Sequence, residues 1–255
     1  MIEPTEFEGE LALDDALPRK RIGVMALGTD AVLEGVFADM FASQPVDMFV
    51  NRVLFENPVT METLAAMDKD LERCLENILP GAPLDVVAFG CSSGTVAIGE
   101  EKLAARIQAV KPGTAVTNPV TAAAAAFHTL GVKRISILTP YSIDVNRHVA
   151  EFFSRNGLDV LNIVGFGVDD DRDIARIPEA TIAAGARAAR HSDAEAVFLS
   201  CTALRAAHIV GRIEDELGVP VVTSNQAMGW HALRLAGIET AVPGYGQLLD
   251  RPLAA

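Results

Sequence analysis

Short apolar runs alternate with longer amphipathic stretches from Arg19 almost to the end of the chain. The runs are rich in Val, Ile and Phe and predict strands at Ile22–Leu27, Asp47–Val53, Val86–Phe89, Ala115–Thr117, Ile135–Leu138, Val160–Phe166, Val197–Leu199 and Pro220–Thr223. Their apolar residues are continuous rather than alternating, as expected for a sheet covered on both faces. The intervening stretches have helical composition, with Gly or Pro near their ends. They predict helices at Asn57–Ile78, Gly99–Val110, Thr121–Leu130, Asp144–Asn156, Pro178–His191, Ala203–Leu217 and Asn225–Leu235. Strand–helix alternation of this kind is the α/β pattern of parallel sheets.

The pattern also repeats. Arg21-Ile-Gly-Val-Met-Ala-Leu-Gly28 is matched 113 residues later (21 to 134) by Arg134-Ile-Ser-Ile-Leu-Thr-Pro-Tyr141. Asp85-Val-Val-Ala-Phe-Gly-Cys91-Ser returns after 110 residues (91 to 201) as Glu195-Ala-Val-Phe-Leu-Ser-Cys201-Thr. Pro112-Gly-Thr-Ala-Val-Thr117 returns after 106 (112 to 218) as Gly218-Val-Pro-Val-Val-Thr223. Three landmarks in one order make a duplicated domain; a solenoid would need more copies. The expected architecture is two pseudosymmetric Rossmann-like α/β lobes with parallel sheets. Residues 1–18, acidic and aperiodic, form an N-terminal arm. Residues 19–118 plus 224–255 make the first lobe, with the last helix crossing over, and 119–223 make the second.

Composition narrows the function. A net charge of −13 argues against nucleic acid, whose phosphates need Lys and Arg clusters. An anionic small substrate stays open, because a pocket can be locally positive in an acidic protein. The acidic start lacks the basic region of a signal peptide, and apolar runs are too short to cross a bilayer. A cytoplasmic protein with reduced thiols is the expectation. The five histidines are isolated, with no zinc pattern, and no GxGxxG or P-loop occurs. Asp169-Asp-Asp-Arg-Asp173 reads as a solvated loop leading into the helix at Pro178.

Cys91 and Cys201 carry the candidate chemistry. Each directly follows a strand and precedes small hydroxyl residues, in Cys91-Ser-Ser-Gly and Cys201-Thr-Ala. Ligands of open α/β sheets bind beyond the carboxyl ends of the strands. A helix starting after each cysteine would aim N–H groups at its sulfur and favour thiolate. The same N–H groups, with Ser92, Ser93 and Thr202, could hold a carboxylate or an enolate. A lone cysteine at a strand end is commonly an inert small hydrophobe; two at equivalent places in duplicated halves would face one another across a cleft. One thiolate can then take a proton, or add to an alkene, on one face while the other thiol protonates the opposite face. That chemistry requires neither metal nor organic cofactor. Cys74, within an apolar helical stretch, reads as core.

These cysteine motifs, with Leu138-Thr-Pro-Tyr141 opening the second half, resemble the Asp/Glu racemase superfamily and its maleate isomerase and arylmalonate decarboxylase branch over residues 19–238. Val50-Asn-Arg-Val53, Asn57-Pro-Val-Thr60, Ser200-Cys-Thr-Ala-Leu-Arg205 and Val222-Thr-Ser-Asn-Gln-Ala227 resemble the ectoine-utilisation members of that branch. The resemblance implies a cofactor-independent isomerase or racemase of a small carboxylate, with an amino or acylamino acid of ectoine degradation as a candidate. It also implies a homodimer or larger homo-oligomer. In maleate isomerases the cysteine matching Cys91 attacks the double bond and the one matching Cys201 supplies a proton. The decarboxylases keep only the latter, so two cysteines argue against decarboxylation. Ser92, Ser93 and Tyr141 inherit substrate-binding roles.

Two departures stand out. The Ala26-Leu-Gly-Thr29-Asp30 loop has a carboxylate where maleate isomerases carry asparagine. Asp30 would repel a dicarboxylate and suit an amine or a thiol needing a base, although a helix cap is its ordinary role there. Cys201-Thr202-Ala203 replaces the Cys-Thr-His of amino-acid racemases. Thr29, Ala203 and the strand-end Asn118 and Asn225 complete the candidate binding residues. The alternatives are maleate cis-trans isomerisation and a non-catalytic ligand-binding protein of the same fold.

Overall fold

A computed structural model describes residues 2–13 and 19–254. The eight predicted strands all form: β1 (Lys20–Leu27), β2 (Val46–Val53), β3 (Val86–Gly90), β4 (Ala115–Thr117), β5 (Arg134–Thr139), β6 (Asp159–Gly165), β7 (Ala196–Leu199) and β8 (Val221–Thr223). They build two four-stranded parallel sheets, ordered β2-β1-β3-β4 and β6-β5-β7-β8. The two orders are the same, as the internal repeat requires. β3 and β7 are buried along their whole length, which is why their sequences are continuous apolar runs.

The helices are α1 (Leu33–Phe41), α2 (Met61–Ala66), α3 (Leu71–Glu76), α4 (Ser92–Ile98), α5 (Glu100–Val110), α6 (Pro119–Leu130), α7 (Ile143–Arg155), α8 (Asp171–Ile174), α9 (Glu179–Ala189), α10 (Val210–Leu217) and α11 (Ser224–Leu235). Three expectations need correction. The single helix over 57–78 is instead α2, a 3-10 turn at Met67–Asp70, and α3. It starts late because Pro58 cannot continue a helix and Thr60, in a reciprocal cap with Thr63, sets the first turn at Met61. The helix expected from Ala203 begins at Val210, after a 3-10 turn at Ala207–Ile209. The short helices α1, α4 and α8 are additional. Of the predicted arm, residues 2–13 are exposed and lack helix and strand; Met1 and residues 14–18 lie outside the described residues.

Both crossing helices pack where the lobes meet. α11 lies against α6, β3, β4 and α1. α6 faces the second sheet, with Phe127 stacked edge-on against Phe153 and Phe198. The tail is fastened to α11 by the buried Arg234, which donates to the carbonyls of Ile238, Leu249 and Arg251.

Candidate active site

The strand order places a topological switch between β1 and β3, and its counterpart between β5 and β7. Four chemically active side chains emerge at these strand ends: Asp30 after β1, Cys91 after β3, Tyr141 after β5 and Cys201 after β7.

Cys91 caps α4. Its Sγ accepts the Gly94 N–H at 3.2 Å and lies 3.9 Å from the Ser93 hydroxyl. Tyr141, only 2% exposed, lies close enough to Ser93, Cys91 and Cys201 for all three to influence its ionisation. Cys91, Ser93, Tyr141 and Cys201 therefore cluster at the ends of β3, β5 and β7. No α-helix begins directly after Cys201, contrary to expectation. The residue instead takes a left-handed backbone with φ 122°, a conformation unfavourable for any residue but glycine.

The loop is held by a hydroxyl hub that sequence reading missed. Ser224 Oγ accepts the Cys201 N–H at 2.9 Å and bonds Ser92 Oγ at 2.8 Å. Ser92 thus braces the two cysteine loops against one another. Thr202 Oγ1 donates to the Gly90 carbonyl at 3.1 Å, and Asn225 Nδ2 donates to the Thr202 carbonyl at 2.8 Å. Both are scaffold contacts. Asn118 is spent on its own helix, its Oδ1 capping Val120 and Thr121 and its Nδ2 donating to Thr121. It is the N-cap of α6.

Asp30 caps α1 with one oxygen only. Oδ1 accepts the N–H groups of Val32 and Leu33 at the start of α1, while the buried Oδ2 has no partner. Arg52 stiffens this loop through the Leu27 and Asp30 carbonyls, with its other amino group on Glu34. The principal miss is Asp171. In the run expected to be a solvated loop, Asp171 is 5% exposed and accepts the Thr29 hydroxyl at 2.6 Å. Asn57 holds this segment, donating to Asp170 at 2.9 Å and accepting the Asp171 N–H at 3.0 Å. A run of five charged positions hides the one whose side chain turns inward.

The electrostatics of the fold oppose ionised thiols. Burial, with the Asp171 and Asp30 charges, pushes Cys91 up to about 12 against the help of the Gly94 N–H and Ser93. Burial raises Cys201 well above its ordinary value too, and Asp171 adds to this against Tyr141 and Ala203. Asp171 itself is raised to about 6, by burial and by the Asp30 and Asp170 charges, against its bond from Thr29. Cys74, on α3, is fully buried in the core, and burial likewise pushes it to about 12.

Two α/β lobes that each bring a strand-end cysteine to one buried site have the architecture of the Asp/Glu racemase superfamily. Within it, this chain belongs to the arylmalonate decarboxylase family, whose model matches residues 97–249. A maleate isomerase of Geobacillus stearothermophilus is 26% identical over 244 residues, 90% of this chain and 97% of that one. The arylmalonate decarboxylase of Bordetella bronchiseptica is 35% identical over 141 residues, 54% of this chain and 59% of its own. The solved structure of a Nocardia farcinica maleate cis-trans isomerase variant, bearing a covalent succinylcysteine intermediate, superposes with a TM-score of 0.82 at 23% identity, covering 91% of this chain and 98% of that one. At that identity the likeness shows a shared fold.

Proposed function

We propose that this protein is a cofactor-independent isomerase that inverts or isomerises a small carboxylate held between Cys91 and Cys201. The clustering of Cys91, Ser93, Tyr141 and Cys201 at the strand ends carries the reading, because it gathers two thiols and two hydroxyl groups from both sheets.

For a racemisation, one sulfur enters as thiolate and takes the α-proton; an S–H bond forms as the C–H bond breaks. The electron pair moves into the carboxyl group as an enolate, whose oxygens the Ser93 and Tyr141 hydroxyls can serve. The opposite thiol protonates the other face and is left as thiolate. The proton count is unchanged and the next turnover runs in reverse. For cis-trans isomerisation, Cys91 would add to the alkene while Cys201 protonates the neighbouring carbon. Rotation about the new single bond and the reverse elimination would then restore both sulfurs. The maleate isomerase relatives favour this second reading; the carboxylate of Asp30 favours the first, since it meets a dicarboxylate with a like charge.

The finer assignment, an amino or acylamino acid such as an N-acetylated diaminobutyrate of ectoine degradation, is supported by the segments at 50–60, 200–205 and 222–227. The proposal includes lobes 19–118 plus 224–255 and 119–223, a cytoplasmic location and a homo-oligomer. Among the described residues no helix is long and apolar enough to cross a membrane.

The test is α-proton exchange in deuterated water, followed by NMR. Cys91→Ala and Cys201→Ala should each abolish it, by a factor of about 10³ or more. Full exchange in either variant would remove the two-thiol mechanism.

A further inference from the structure

Two carboxylates lie near the thiols, and among the described residues neither makes an ion pair. Asp30 is 3% exposed with its Oδ2 unpartnered, and Asp171 is 5% exposed with only the Thr29 hydroxyl on its Oδ2. They come from opposite lobes and are joined through Thr29, the residue beside Asp30. Arg52 is spent on carbonyls and Glu34, and Arg172 on Asp170, so neither reaches the pair. A buried carboxylate oxygen without a donor is costly, and two facing acids compound the cost. A site built this way has an unused acceptor and excess negative charge, and both are relieved by one small cationic donor.

We infer that Asp30 and Asp171 together form the recognition site for a cationic amino group on the substrate, which makes the preferred substrate a small monocarboxylate carrying a terminal ammonium. An ammonium supplies three donors, enough for the free Oδ2 of Asp30 and an oxygen of Asp171. Among the described residues no group of three or more His, Cys, Asp or Glu side chains is placed to hold a metal ion. The same charge would act on the chemistry. Burial first, and the two carboxylates after it, hold the nearby thiols in the neutral form, so a bound ammonium would cancel the second influence and ease one thiol toward thiolate. Substrates without the cation would lose binding and activation together. Asp30 and Asp171 are specificity-determining residues in this account, and Thr29 positions Asp171.

The inference rests on the two-thiol reading, and the test separates them. The probes are Nα-acetyl-2,4-diaminobutyrate, with a terminal ammonium; 2-acetamidobutyrate, which lacks it; and maleate, a dicarboxylate. Calorimetric binding to the full-length protein should favour the ammonium compound over both others by about tenfold or more. Asp30→Asn and Asp171→Asn preserve the cap on α1 and the acceptor for Thr29, so both should fold. Each should weaken the ammonium compound by about tenfold and improve maleate, with the double variant reversing the preference. Equal binding of charged and uncharged probes, absence of detectable binding of all three, or an unchanged preference in the double variant would each overturn the inference. Those results leave the two-thiol mechanism standing if the cysteine variants still abolish α-proton exchange on any carboxylate. Exchange that survives the cysteine variants would instead sink the mechanism.

Discussion

At the scale of single residues, the active site is dominated by acids and thiols kept out of water. Asp171 ionises at about 6 in the fold against an ordinary 3.8. Between those values the folded chain therefore holds a proton that the unfolded chain has shed. Stability falls as pH rises from about 4 to 6 and is level above that, a loss of up to about 3 kcal/mol. Asp171→Asn escapes this cost. Urea denaturation should show the variant more stable than wild type at pH 7.5, with the difference shrinking toward pH 4; a constant difference would mean the carboxylate is not strained by burial. Cysteine positions were readable because their strand-end motif occurs twice. Asp171 was unreadable, since nothing in Asp169-Asp-Asp-Arg-Asp173 distinguishes the residue that turns inward from its solvated neighbours. Asp30 was half readable: its place before α1 announces a cap, but only the fold leaves one of its oxygens without a partner.

At the scale of elements, two loops built from matching sequence present their sulfurs differently. Cys91 sits at a true helix start, where Gly94 donates to it, whereas Cys201 is presented by a strained turn pinned to Ser224. Gly94 is small for a reason: a Cβ there would come to 2.9 Å from the Cys91 sulfur and collide with Met67. Gly94→Ala should displace the thiol and lower kcat by about tenfold or more while urea stability changes little; wild-type kcat would show that the sulfur tolerates the crowding. The eight strands were legible from continuous apolar runs, because central parallel strands are buried on both faces. The short helix α4 was not. Its sequence, Ser-Ser-Gly-Thr-Val-Ala-Ile, has poor intrinsic helix preference and is held by packing against α2, α6 and α7.

At the scale of the molecule, the site exists only because the lobes are locked together. Thr202 reaches Gly90, Ser224 reaches Cys201, and Asn57 clamps the Asp171 segment of the other lobe. Asn57→Ala removes the bonds to Asp170 and to the Asp171 N–H. It should speed amide hydrogen exchange at Asp171 and raise KM several-fold, with kcat less affected, because the cysteines keep their own supports. Unchanged exchange at Asp171 would mean that the lobes close without this clamp. By itself the sequence determined the duplicated α/β architecture and the strand positions and singled out the two strand-end cysteines, since burial periodicity and repetition are local or internally compared signals. Only the tertiary structure decided what the polar side chains around them touch. Ser92, Thr202 and Asp171 found partners more than a hundred residues away, in Ser224, Gly90 and Thr29, and no local signal announces such a partner.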